Sequence, residues 1–126
     1  MIYTSYFGNL KNLLNFKLVS IAGESSSEFI ALIDDNKFIE YKKLAPKYSW
    51  WKEWHDGKFD NDWYVEKYYK TVLNLLDPNK VFLELTENNT KDVVLLCWEE
   101  PNEFCHRHIV AKWLNENLNI EVKERI

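Results

Sequence analysis

The chain has 126 residues, which is enough for one compact domain with a buried core. Hydrophobic residues make up 46% and charged residues 29%, as in ordinary soluble proteins, and no apolar run approaches the roughly 18 residues of a membrane span. The net charge of −4 disfavours a protein that coats nucleic acid through a basic surface, although local basic patches stay compatible with nucleic-acid binding.

The start of the chain and its cysteines bear on the cellular compartment. Residues 1–6 show no basic segment followed by a long apolar stretch, so they do not resemble an export signal. Cys97 and Cys105 are eight positions apart, and in a chain without an export signal free thiols are favoured over a structural disulfide. We therefore predict a cytoplasmic protein that does not associate with a membrane.

Strand and helix signals alternate along the first half of the chain. Residues 2–7 and 17–22 are β-prone and predict the first two strands. Between them, residues 9–16 carry leucines at helical spacing, which predicts one or two turns of helix. A polar loop is expected at 24–28, and residues 37–41 are compatible with a third strand.

The second half begins with an aromatic segment, residues 48–62, which we interpret as a helical turn and a loop. A helix from residue 61 or 62 to about residue 76 follows, because its apolar side chains form one stripe at helical spacing. Asp77 and Pro78 suit the N-cap and first position of another helix, which residues 88–90 should end.

The last third of the chain predicts a central strand at 92–98, a long helix at 103–117 and an edge strand at 120–123. Strands that alternate with helices indicate an α/β fold with a mainly parallel sheet flanked by helices. We expect residues 1–126 to form a single domain of this class, and we find no internal repeat.

Most of the residues suited to chemistry lie in the segment 93–112. Its apolar run ends at Cys97, and Cys105, His106 and Arg107 open the helix that follows. Ligands in open α/β sheets usually bind at the carboxyl ends of the strands, where this segment places a thiol, an imidazole and a guanidinium. The pattern predicts where a site lies and leaves the reaction and the ligand open.

Cys105 is the first candidate for a catalytic residue. In the first turn of a helix its thiol faces free backbone N–H groups, and Arg107 also favours the thiolate, whereas Glu99, Glu100 and Glu103 oppose it. The functional interpretation is a nucleophile, a redox thiol or a donor in an anion site. The structural interpretation is a small residue packed under the sheet.

The histidines beside Cys105 are candidates for acid/base chemistry. His106 and His108 are two positions apart, so on a helix they face different sides. Together with the cysteines they match none of the usual zinc-ligand spacings, and we predict no metal site and no cofactor. His106 is the preferred acid, base or hydrogen-bond donor, and a structurally satisfied or surface histidine is the alternative.

Arg107 and Glu99 each allow two interpretations. The guanidinium of Arg107 would clamp a phosphate or carboxylate, or it would form a structural ion pair with Glu99 or Glu100. Glu99 lies just beyond the central strand, where it would act as a base or orient a histidine, or where it would be a solvated loop carboxylate.

The aromatic segment is the second signal in the sequence. Its rings would stack a nucleobase or another planar ligand, or they would form a core that fixes a loop onto the domain. Trp50 and Trp51 are adjacent and cannot point the same way, so at least one should be more exposed, and Trp51 is our candidate ligand contact. Trp63 opens the next helix and should belong to the core.

Several well-known motifs are absent. The sequence has no G-x-x-x-x-G-K-[ST], no G-x-G-x-x-G, no G-x-S-x-G and no H-E-x-x-H. Nucleotide hydrolysis by a P-loop, a dinucleotide site, an α/β-hydrolase and a zinc protease of that type are therefore disfavoured.

Residues 95–114, LLCWEEPNEFCHRHIVAKWL, resemble the signature of the domain of unknown function 488 family. Members of that family have an apolar strand ending L-L-C-x-E, an acidic turn with a proline, and then C-H-R and an amphipathic helix. Cys97 and Glu99 match the strand end, and residues 105–107 match the second motif. The resemblance implies an α/β fold and a site at this segment, but no reaction is assigned to the family.

The second strand departs from the family pattern. Many members carry an aspartate–arginine pair at its end, where this chain has the residues Val-Ser-Ile-Ala-Gly at 19–23. Ser20 is the side chain there that would still supply a hydroxyl to a site.

These observations predict a polar site at the carboxyl edge of the sheet. Its catalytic candidates are Cys105, His106 and Glu99, and its ligand-binding candidates are Arg107, Cys97, Ser20 and Trp51. The expected ligand is an anionic or nucleotide-like small molecule. The same site is compatible with a thiol-dependent enzyme that acts on this ligand. The alternative is a non-enzymatic module that docks a protein or a nucleic acid through its aromatic surface. The sequence does not predict the oligomeric state.

Overall fold

The fold is built around one five-stranded sheet, seen in a computed structural model that describes residues 1–34, 37–87 and 92–125. The strands are β1 (Ile2–Tyr6), β2 (Lys17–Ser20), β3 (Phe38–Glu40), β4 (Val93–Cys97) and β5 (Lys123–Glu124). The helices are α1 (Ser27–Ile30), α2 (Tyr48–His55), α3 (Asn61–Thr71), α4 (Pro78–Thr86) and α5 (His106–Leu118). Short 3₁₀ helices occupy Phe7–Asn12, Lys42–Leu44 and Leu73–Leu75.

All strand pairs in this sheet are parallel, and their order is β3-β2-β4-β1-β5. The central strand β4 is buried along its whole length, as expected for a parallel strand covered on both faces. Val93 and Leu95 pack into one core cluster with α2 to α5, and Val94 and Leu96 pack into a second cluster with the first 3₁₀ helix and α1. The predicted α/β class with a mainly parallel sheet is confirmed.

Capping residues set the starts of two predicted helices. The carboxylate of Asp60 accepts a hydrogen bond from the backbone N–H of Trp63, and that of Asp77 accepts one from Asn79. The helix α3 ends earlier than predicted, because the backbone leaves the helical region at Val72 (φ −128°) and continues as a 3₁₀ turn. The predicted end of the next helix at 88–90 lies outside the described residues.

Other element boundaries also differ from the sequence predictions, and the helix predicted at 9–16 is the 3₁₀ helix Phe7–Asn12. The aromatic segment contains a full helix, α2, and not a single turn. The last helix begins at His106, three residues later than predicted, because Cys105 has an extended backbone (φ −155°) and acts as its N-cap. The edge strand lies at 123–124, and the end of the expected polar loop at 24–28 is the start of α1.

The helices of the described part of the chain are all too short or too polar to cross a lipid bilayer.

Candidate functional site

A cavity of about 510 Å³ opens at the carboxyl edge of the sheet, between β2 and β4. Residues 22–24 follow β2 and residues 97–99 follow β4, and both segments line it. The chain leaves β2 towards β3 on one side and leaves β4 towards β5 on the other, so these neighbours form a topological switch point. Ligands of open parallel sheets bind in the crevice at such a point.

The lining of this cavity combines aromatic and apolar walls with a few polar groups. The lining residues that carry titratable or sulfur-containing side chains are Glu24, Glu99, His106 and Cys97. The other lining residues are Ala22, Gly23, Ala45, Pro46, Tyr48, Trp51 and Trp98. A mainly apolar pocket with few convergent polar groups is the usual form of a small-molecule site.

Cys97 and Cys105 are joined by a disulfide, so the prediction of free thiols is wrong. That prediction rested on the compartment, whereas the disulfide follows from how closely the turn after β4 returns to the end of that strand. Both sulfurs are buried, but only Cys97 is among the residues that line the cavity. Cys97 and Cys105 are both members of the second core cluster.

Arg107 is fully buried, and its partner is Glu124 of the edge strand. Its Nε and Nη2 donate to the Glu124 carboxylate at 2.9 to 3.2 Å. Its Nη1 donates to the backbone carbonyl of Glu99 at 2.7 Å and lies 3.1 Å from the sulfur of Cys97. Of the two interpretations of Arg107, the structure shows an ion pair, although not with either glutamate of the turn.

His106 is buried and hydrogen-bonded through one ring nitrogen. Its Nε2 lies 2.7 Å from the backbone carbonyl of Ile21, an acceptor, so Nε2 carries the proton in the neutral ring. Its Nδ1 lies 3.8 Å from the sulfur of Cys105. Burial lowers the pKa of His106 to about 4, against the opposing effect of the Ile21 hydrogen bond and with a further lowering by Arg107. His106 is therefore a neutral imidazole near neutral pH.

Cys97, Cys105 and His106 also bring three potential metal-ligating atoms within 4.8 Å of one another. Metal binding by cysteine requires thiolates, which the disulfide does not provide. The absence of a metal site and of a cofactor stays a prediction.

Glu99 is a partly buried carboxyl group at the cavity wall. Burial raises its pKa above the ordinary value, opposed by a hydrogen bond to its own backbone and by the charge of Arg107. A carboxyl group of raised pKa is suited to exchange protons with a bound molecule. The acid or base role of Glu99 stays a prediction.

An aromatic face of α2 forms one wall of the cavity. Trp51 is half-buried, and its ring stacks on His55 at 4.7 Å and on Tyr48 at 6.1 Å between centroids. Trp50 points into the core, where its Nε1 donates to Thr71 Oγ1 at 2.9 Å. The expectation that adjacent tryptophans differ in exposure is confirmed.

Residues 30–118 match the family model DUF488-N3a, described as the active DUF488-N3 subclade. The chain belongs to the DUF488 family. The matched range contains Cys97, Glu99, the C-H-R segment and Trp51. The chain matches none of the curated proteins and none of the solved structures.

In this DUF488 protein, Ser20 lies outside the matched range and does not line the cavity. Its hydroxyl is buried and 2.7 Å from that of Ser25, which in turn lies 2.6 Å from the carboxylate of Glu40. Because each hydroxyl has one proton, Ser20 donates to Ser25 and Ser25 donates to Glu40. The structure thus shows Ser20 holding the loop after β2 against β3.

Several residues of this site were not found from the sequence. Tyr48 and Glu24 line the cavity, and Glu124 holds Arg107, but they are 24 to 100 positions apart in the chain. The edge strand that carries Glu124 pairs with β1 through two residues, Lys123 and Glu124. No sequence pattern around Glu124 distinguished it from other acidic residues. Glu24 could have been suspected from its position just after the predicted second strand, since sites of parallel sheets lie at the carboxyl ends of strands.

A second cavity of about 490 Å³ lies on the other side of Trp98. Its walls come from the first 3₁₀ helix and the start of α1, and its charged groups are Lys11, Glu28 and Glu100. Cys97 and His106 line the first cavity, which we take as the candidate site.

Proposed function

We propose that the cavity between β2 and β4 binds a small molecule with a planar ring, and that reduced Cys97 acts on this molecule as a nucleophile. The observation that carries the proposal is the position of Cys97, which lines the cavity and whose sulfur lies 3.1 Å from the guanidinium of Arg107. A thiolate is the reactive form of cysteine, and an adjacent cation stabilises it.

Cys97 is favoured over Cys105, which the sequence indicated, for a geometric reason. Cys105 caps α5 and is not among the residues that line the cavity, so a molecule in the cavity does not reach it directly. The backbone N–H of Arg107 lies 3.5 Å from its sulfur, which is longer than an ordinary hydrogen bond to oxygen. The guanidinium contact belongs to Cys97.

The charges at the cavity restrict the part of the ligand that lies inside. Two of the lining residues, Glu24 and Glu99, are acidic, and Arg107 is already paired with Glu124. An uncharged ring stacked on Trp51 is compatible with this lining, as for the base of a nucleotide-like molecule. An anionic group would extend outside the cavity towards the exposed Lys42, whose Nζ donates to the carbonyl of Gly23 at 2.6 Å and lies 3.5 Å from the carboxylate of Glu40.

Covalent labelling tests the proposal. The protein is reduced with a phosphine and treated with two electrophiles, iodoacetamide and a chloroacetamide that carries a purine-sized ring, and labelling is followed by intact mass. We expect Cys97→Ser to abolish labelling and Cys105→Ser to retain it. We expect Trp51→Ala to slow the ring-bearing reagent and to leave iodoacetamide unchanged.

Trp98→Ala is the matched control for the ring, because Trp98 also lines the cavity but its indole is bound to the carbonyl of Glu24. Faster labelling of Cys105 than of Cys97 would contradict the nucleophile. Equal rates with both reagents in wild type and Trp51→Ala would contradict the ring site.

One observation favours a second function, the docking of a macromolecular partner. Tyr48 is 68% exposed and stacks on Trp51, so α2 presents a ladder of rings to solvent as well as to the cavity. If Tyr48→Ala and Trp51→Ala abolish binding of single-stranded oligonucleotides or of a protein partner while Cys97→Ser does not, the docking function is favoured. If Cys97→Ser removes the reaction with electrophiles and the two α2 variants leave partner binding unchanged, the enzymatic function is favoured.

A further inference from the structure

The asymmetry of the two sulfurs bears on what happens to Cys97 under oxidation. Cys97 lines the cavity and its sulfur lies 3.1 Å from the guanidinium of Arg107, whereas Cys105 is not among the residues that line the cavity. The two are nevertheless close enough to be joined. One sulfur is thus placed to meet a small molecule from the cavity, and the other is placed to meet only its neighbour.

We infer that Cys97 is a site of reversible oxidation by hydroperoxides, and that Cys105 is the cysteine that resolves the oxidised Cys97 into a disulfide. The disulfide then holds the nucleophile of the cavity in an inactive form. This inference rests on the proposed function for the activity that is switched, but the oxidation itself stands on the geometry of the two sulfurs.

In the first step the Cys97 thiolate attacks the terminal oxygen of a hydroperoxide ROOH. The S–O bond forms and the O–O bond breaks, and the leaving alkoxide takes up the proton that the thiol lost on ionisation, giving ROH and a sulfenic acid. The peroxide is reduced by two electrons and the sulfur of Cys97 is oxidised by two. Arg107 favours this step because it stabilises the attacking thiolate.

In the second step the sulfur of Cys105 attacks the sulfenic sulfur of Cys97. The S–S bond forms and the S–O bond breaks, and the hydroxide leaves with the thiol proton of Cys105 as water. The Nδ1 atom of His106 has a free lone pair 3.8 Å from the sulfur of Cys105, so it can accept a hydrogen bond from that thiol and orient it. The neutral state of His106 keeps this lone pair available.

The reverse reaction follows from the same asymmetry. An external dithiol reaches the disulfide from the cavity and attacks Cys97, and Cys105 leaves as the thiol. The dithiol is oxidised to its own disulfide and both cysteines are reduced, so the electrons balance. A peroxide signal therefore switches the cavity off, and a thiol reductant switches it on.

Hydrogen peroxide and intact mass test this inference. Reduced wild type should lose two hydrogens on treatment with hydrogen peroxide, lose both free thiols, and regain them with dithiothreitol. Cys105→Ser should instead gain one oxygen at Cys97, trapped as the dimedone adduct, and then be overoxidised. Cys97→Ser should keep a free Cys105 thiol at peroxide concentrations that oxidise wild type.

His106→Gln should slow disulfide formation and prolong the life of the dimedone-reactive species relative to wild type. The inference fails if both thiols of folded wild type survive excess peroxide, if Cys97→Ser consumes peroxide as fast as wild type, or if the disulfides formed link two chains. Circular dichroism of each variant confirms that the result is read on folded protein.

The outcomes for the two proposals are distinguishable. If the disulfide forms and is reduced as described but reduced Cys97 does not react with electrophiles, the proposed function fails and the oxidation site stands. If reduced Cys97 reacts with electrophiles and oxidised protein reacts at least roughly tenfold more slowly, both hold. If reduced Cys97 reacts with electrophiles but resists peroxide, only the oxidation site fails.

Discussion

Arg107 and Glu124 form a buried ion pair that ties the edge strand to the start of α5, with Arg107 fully buried and the Glu124 side chain 19% exposed. Thr4 of β1 donates to the same carboxylate. The guanidinium is thereby fixed in one orientation, with Nη1 directed at the sulfur of Cys97. The pair positions the charge beside the candidate nucleophile without facing the cavity.

Removal of Glu124 should be costly because it leaves a buried guanidinium without its counter-charge. We expect Glu124→Ala to lower the free energy of unfolding by about 3–5 kcal/mol, measured by urea denaturation. Glu121→Ala is the control, since Glu121 and Lys123 form an exposed pair that should contribute roughly 0–1 kcal/mol. Equal losses for the two variants would show that burial of Arg107 does not depend on Glu124.

The same pair predicts a dependence of stability on acid. Burial alone would raise the pKa of Glu124, but the hydrogen bonds from Arg107 and Thr4 outweigh it and hold the pKa below the ordinary 4.5. The lowered pKa contributes stability that is present above 4.5 and is lost as the pH falls through the folded value. The free energy of unfolding should fall more steeply on acidification through this range in wild type than in Glu124→Gln. Equal pH dependence in the two proteins would contradict this role of Glu124.

His106 should affect the pH dependence of stability in a higher pH range than Glu124 does. Its pKa is lowered from 6.5 to about 4 in the folded protein, so between these values the unfolded chain binds more protons and stability falls on acidification. His106→Gln, which retains a donor for the carbonyl of Ile21, should flatten this part of the curve. Burial also lowers the pKa of His108, so part of the slope should remain. NMR detection of a charged His106 at about pH 6 would overturn the prediction.

Tyr68 supports the wall of the cavity from beneath. Its buried hydroxyl donates to the backbone carbonyl of Leu44 at 2.6 Å, just before Ala45 and Pro46 reach the cavity. We expect Tyr68→Phe to cost about 1–3 kcal/mol in unfolding free energy, because the carbonyl is left without a partner. Tyr69→Phe, a change on the adjacent and less buried residue, should cost clearly less, and the reverse order would rule out this role.

The tryptophans of the aromatic segment should separate into core and cavity residues. Trp50→Ala removes a buried ring and should cost about 3–5 kcal/mol, since Trp50 packs edge-on against Tyr64 at 4.9 Å. Trp51→Ala should cost much less, and Trp63→Ala should lie between them because Trp63 is only partly buried against the core. Equal large losses at all three positions in chemical denaturation would make the segment core and remove the ring site.

Parts of the fold followed from local patterns. The buried strand β4 and the capping residues Asp60 and Asp77 were predicted from the sequence. This was possible because an apolar run and an N-cap hydrogen bond involve residues near one another in the chain. The alternation of strands and helices likewise fixed the class. The start of α5 was not predicted correctly from the sequence, because the extended backbone of Cys105 depends on the turn that precedes it.

The sequence by itself determined the fold class, the family and the segment that carries the candidate site residues, since these depend on periodicity and on a contiguous motif. Only the tertiary structure decided the partner of Arg107, the pairing of Cys97 with Cys105, and which of the two cysteines lines the cavity. The physical reason is that these contacts join elements far apart in the chain. The order of strands in the sheet brings Glu124 and Ile21 to Arg107 and His106, and no local pattern encodes that order.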